Sequence, residues 1–93
     1  MNKVIAVNAN PNFSLDVKFS DGSLKRFDVK PYLDRGIFTE LKNLDYFKQA
    51  RVEFGTVQWP NEQDIAPETL YIDGVNLDEA NAILTKESDL TTA

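Results

Sequence analysis

The sequence predicts an α+β domain: a small antiparallel sheet built on hairpins, packed with short helices, plus a C-terminal helix. Three observations carry this. Phe13, Leu15, Val17 and Phe19 alternate with Ser14, Asp16, Lys18 and Ser20, the period of two that sends one set of side chains to a core and the other to water. Between Pro31 and Phe47 the apolar residues change to short, helix-like spacings broken by Gly36 and capped by turn formers. From Leu77 to Lys86, Leu77, Ala80, Ile83 and Leu84 fall on one stripe of a helix that Asn76 and Glu79 would open as a capping box.

In chain order, Lys3 to Val7 reads as a strand, ended by the turn-forming run Asn8-Ala9-Asn10-Pro11-Asn12. The hairpin Phe13 to Val29 follows, and parity fixes its register. A two-residue Asp21-Gly22 loop would turn Phe27 and Val29 to solvent. A three-residue loop, Ser20-Asp21-Gly22, with Gly22 left-handed, pairs Phe19 with Ser23, Leu15 with Phe27 and Phe13 with Val29, and points Leu24 outward or to a second layer. Lys30-Pro31 ends the second strand and opens a helical turn that Gly36 stops. Ile37 to Asn43 is a short helix presenting Phe38 and Leu41, and Asp45 caps one further turn carrying Tyr46 and Phe47. Ala50, Val52 and Phe54 alternate as another half-buried strand, Gly55-Thr56 turns it, and Val57-Gln58-Trp59 returns. Pro67 starts a turn that brings Leu70, Tyr71 and Ile72 back toward the core. Residues 1–73 form the compact unit, and residues 74–93 its C-terminal helix and acidic tail.

Composition narrows the function. Ninety-three residues make one domain with one modest core. With no cysteine and no histidine, disulfides, thiolate chemistry and the commonest general base and metal ligand are absent. No run is long and apolar enough for a membrane span or signal peptide, so a cytoplasmic location is expected. Charge is uneven: residues 1–61 carry nine Lys or Arg against seven acids, a net +2, while residues 62–93 carry one Lys against eight acids, a net −7. Such a field repels phosphate, so direct nucleic-acid binding is not expected, and it suits a basic protein partner.

Chemistry-bearing motifs are sparse. Asp73 to Glu79 has the acids of a calcium loop without its spacing. Glu62, Asp64 and Glu68 sit close in sequence; they read either as turn and helix-start acids or as the carboxylates of a small-molecule-binding or carboxylate-dependent enzyme domain. Trp59 beside Pro60 reads either as a core ring at a strand end or as an interaction residue. The reading adopted is a non-enzymatic interaction domain without cofactor or metal, in which Leu77, Ile83, Leu84 and Trp59 are the candidate partner-binding residues. An unpaired edge strand also leaves a homodimer open.

The chain further resembles the family of small bacterial proteins known as domain of unknown function 2442. The resemblance rests on Val17 to Gly22, on Phe27-Asp28-Val29 with Pro31, on Gly36, Phe38 and Leu41, and on Tyr46-Phe47. Its most specific part is Trp59-Pro60-Asn61 with Asp64, Ile65, Pro67, Leu70 and Tyr71. Glu62 stands where a glycine tends to follow Trp-Pro-Asn, which implies a local turn of different character. The resemblance implies an α+β domain, no established activity, and membership in toxin–antitoxin-type gene pairs. Some relatives carry a helix-turn-helix segment after the domain, for which residues 73–93 are too few.

Overall fold

In the computed structural model, which describes residues 2–77, the chain begins with three antiparallel strands, β1 (Val4–Ala9), β2 (Ser14–Phe19) and β3 (Leu24–Asp28). The expected register holds: Leu15 faces Phe27, the Phe19 N–H donates to Ser23 O at 2.9 Å, and the Val29 N–H donates to Phe13 O at 3.0 Å. Gly22 closes the loop at φ 88°, a conformation cheap only for glycine. Phe27 and Val29 are buried with Leu15, Val17 and Phe19, while Leu24 is half-buried. β1 runs two residues further than expected, through Asn8 and Ala9, because both find partners in β2 opposite Asp16 and Leu15.

A 3-10 turn (Lys30–Tyr32) starts around Pro31, and a second 3-10 helix (Gly36–Lys42) follows. The second buries Leu41 and half-buries Phe38, as the spacing required, with Gly36 opening it at φ 44° rather than ending the turn before it. Helix α1 (Leu44–Phe47) is capped by Asn43, not Asp45. The Asn43 side chain accepts from the N–H groups of Asp45 and Tyr46, and Asp45 sits in the first turn, where its charge suits the helix end.

The remaining strands make a second sheet where one was expected: β4 (Arg51–Glu53), β5 (Thr56–Gln58) and β6 (Asp64–Ile65), in that order. Helix α2 (Pro67–Asp73) follows, opened by its proline, and β7 (Val75–Asn76) then pairs with β3. The first sheet therefore takes in two residues past the boundary expected at 73. A Cβ at Gly74 would lie 2.4 Å from Leu70 O, so only glycine lets α2 pass directly into β7. Ile72, expected to turn inward, is 76 % exposed, because Leu70 fills the core side of that turn and Tyr71 packs at its edge.

Both sheets share one core. Val4, Leu15, Val17, Phe19, Phe27 and Val29 from the first meet Val57, Trp59 and Ile65 from the second, with Leu41, Phe47 and Leu70 closing the sides. Burying each such side chain contributes about 1.5–3 kcal/mol, which is what holds pieces as short as α1 in helical form. Among the described residues no helix is long and apolar enough to cross a membrane.

Candidate functional site

Three of the chain's reversals are one loop repeated. In each, residue i pairs with residue i+4, the third loop residue is left-handed, and its N–H bonds back to the carbonyl of residue i. Asn10 pairs with Ser14 around Pro11-Asn12-Phe13, with Phe13 at φ 64°. Phe19 pairs with Ser23 around Ser20-Asp21-Gly22. Trp59 pairs with Gln63 around Pro60-Asn61-Glu62, with Glu62 at φ 72°. Pro or Ser in the first loop position and Asn or Asp in the second suit a tight turn of this kind. A glycine would rest without strain in this third position, and Glu62 occupies it at a backbone cost.

The third loop is the polar centre of the molecule. Asn61 donates from Nδ2 to both carboxylate oxygens of Glu40, at 2.9 and 2.8 Å, and its backbone N–H donates to the Tyr46 hydroxyl at 2.8 Å. Tyr46 donates in turn to Gln63 Oε1 at 2.6 Å. Gln63 Nε2 donates to Glu40 Oε1 at 2.9 Å and to Ile37 O at 3.0 Å. Gln63 is 2 % exposed, so its amide survives burial only because each end is bonded. The hydrogen bonds from Asn61 and then Gln63 hold the Glu40 carboxyl below its usual range. Beside them the Trp59 indole N–H donates to Phe47 O at 2.8 Å. The second 3-10 helix, α1 and the β5–β6 loop are thereby tied into one body.

A second cluster braces the tip of the first hairpin. Asp21 accepts from the Ser23 N–H at 2.8 Å, the Tyr71 hydroxyl at 3.0 Å and Asn2 Nδ2 at 3.0 Å, and the bonds from Ser23 lead in lowering its pKa. Tyr71 stands edge-on to Phe19, ring centroids 5.0 Å apart, with the Lys25 ammonium 4.8 Å from its own ring centre. On the outer face of the sheet Arg26 makes a two-pronged bond to Asp16, at 2.7 and 3.1 Å.

The expected partner-binding residues fare unequally. Trp59 is fully buried, which corrects its place at a partner surface: its ring fills the core and its one polar atom is bonded inside. Leu77, 8 % exposed, ends the described chain, and Ile83 and Leu84, with the rest of the helix expected to Lys86, lie outside the described residues. Glu62, Asp64 and Glu68 are all exposed. Glu68 borders a cleft lined by Asn2, Pro67, Tyr71 and Ile72, which neither Glu62 nor Asp64 reaches. Among the described residues no group of three potential metal ligands converges.

Sequence reasoning missed Glu40, Gln63 and Phe54. Phe54 was expected half-buried in a strand. Instead the strand stops at Glu53, and Phe54-Gly55 form a two-residue turn, at φ 52° and 76°, that leaves Phe54 97 % exposed. The signal was the glycine: Asn-Gly or Asp-Gly would have marked this turn, and phenylalanine in the first position concealed it.

The class of protein thus defined is a two-sheet α+β domain whose distinctive polar residues brace its own loops. The chain belongs to the family DUF2442, described as protein of unknown function, whose model matches residues 4–74. No curated protein and no solved structure matches the chain.

Proposed function

We propose that this chain is a non-enzymatic protein-interaction domain, the antitoxin-like member of a bacterial gene pair, whose acidic C-terminal third docks on a basic protein. The observation that carries it is the closed polar network. Glu40, Tyr46, Asn61 and Gln63 spend their hydrogen-bonding groups on one another and on backbone, so the family's most specific motif acts as an internal brace. Recognition then falls to the surface and to the segment after it. There the sequence concentrates a net charge of −7 over residues 62–93 and carries Ile83 and Leu84 as its apolar pair.

Co-expression of the tagged full chain with the product of the adjacent gene tests this. The expected result is a stable complex that weakens as salt rises, because charge complementarity contributes to it. Failure of the two products to co-purify at low salt would reject the reading.

A further inference from the structure

The β4–β5 turn combines two unfavourable features. Phenylalanine is held left-handed where asparagine or glycine would rest without strain, and its ring has nothing of its own chain to pack on, being 97 % exposed. Phe13 is also left-handed, but its ring lies 5.2 Å from that of Phe47. A large apolar ring held in a strained backbone with nothing of its own chain to pack on is a candidate for a contact outside the monomer.

A receptacle adjoins it. The Val4 N–H donates to Gly55 O at 2.9 Å, and the stem of Lys3 lies across Gly55, its Cβ 3.2 Å from where a Cβ would stand. Asn2, the next residue back, forms one wall of the cleft with Pro67, Glu68, Tyr71 and Ile72. The cleft encloses about 140 Å³, close to the ~150 Å³ that holds a single benzene ring. Its walls include Ile72, which is 76 % exposed, and one carboxylate, Glu68. Lys3 is exposed and makes no ion pair with any described residue. Turn and cleft are thus joined through Lys3 and Asn2, one offering an exposed ring beside a lysine and the other a hollow beside a carboxylate. A self-complementary patch of this kind is what a two-fold interface requires, since each copy must offer both halves.

We infer that the chain forms a two-fold homodimer in which Phe54 of each copy enters the cleft between Pro67, Tyr71 and Ile72 of the other, with Lys3 facing the other copy's Glu68. Two rings, two clefts and their rims bury roughly 1,000 Å² in total, at the small end of specific interfaces, so the dimer is a weak one.

Sedimentation equilibrium of the full chain from about 10 µM to about 1 mM tests this. The wild type is expected to pass from monomer to dimer across the range, and Phe54→Ala to weaken association by about tenfold or more while staying folded, since the ring supports nothing in its own chain. Lys3→Glu and Glu68→Lys are each expected to weaken self-association, and an equal mixture of the two to regain it, because both contacts are then again between opposite charges. A wild type monomeric throughout would overturn the inference. So would a Phe54→Ala variant that dimerises unchanged, or a charge-swapped mixture no tighter than its components.

Discussion

At the scale of single residues, the molecule is distinguished by side chains kept in the left-handed region. Each non-glycine residue there costs about 1–2 kcal/mol. Phe13 offsets this by packing on Phe47. Glu62 and Phe54, both exposed, have no such offset. Glu62→Gly is therefore expected to stabilise the fold by about 0.5–1 kcal/mol after allowing for the looser unfolded chain, a gain of a few degrees in a thermal melt. Phe54→Asn should do likewise, by converting the turn to the Asn-Gly pair it structurally is. A fall in melting temperature for either would mean that the side chain makes a contact the fold needs. Protonation acts through the depressed carboxyls. Glu40 and Asp21 both titrate lower folded than unfolded, so the unfolded chain binds protons first as pH falls. Their stabilisation is complete above the ordinary carboxylate range and is lost as pH drops through their folded values. Melting temperature should hence decline below about pH 4, and Glu40→Gln should flatten that decline while lowering stability at neutral pH. An unchanged acid profile in the variant would remove Glu40 from the brace.

At the scale of elements, the brace works because the β5–β6 loop reaches two helical pieces too short to persist alone. Trp59→Phe removes the indole bond to Phe47 O, which keeps its bond from the Ala50 N–H, and takes away part of the ring, leaving a void. A cost of about 2–4 kcal/mol is expected by denaturant unfolding. Tyr46→Phe takes away a hydroxyl that both donates and accepts, at about 1–3 kcal/mol. The first hairpin was legible from the residues because parity leaves one register that keeps Leu15, Phe27 and Val29 on the same side. The β4–β5 hairpin was legible too, but its third strand and its separation into a second sheet were not. β6 is two residues long, with no room for alternation, and only its pairing with β5 across the Trp59–Gln63 turn defines it. The brace was half legible: the Tyr46-Phe47 and Trp59-Pro60-Asn61 runs mark its ends, but nothing local joins Glu40 to Asn61 and Gln63, 21 and 23 residues further on.

At the scale of the whole molecule, the account separates support from recognition. The polar motif ties the β5–β6 loop to the second 3-10 helix and α1, and the proposed function gives recognition to the surface and the acidic segment. These roles predict opposite behaviour in paired variants of the full chain. One measurement compares them directly: calorimetric titration, at a temperature where all variants are folded, of the adjacent gene's product into the wild type, into Tyr46→Phe and into an Ile83→Asp, Leu84→Asp double variant. The account predicts that Tyr46→Phe lowers melting temperature but keeps wild-type affinity, and that the double variant keeps melting temperature but loses affinity by about tenfold or more. Lost affinity in Tyr46→Phe with full affinity in the double variant would contradict it, placing recognition in the polar motif itself.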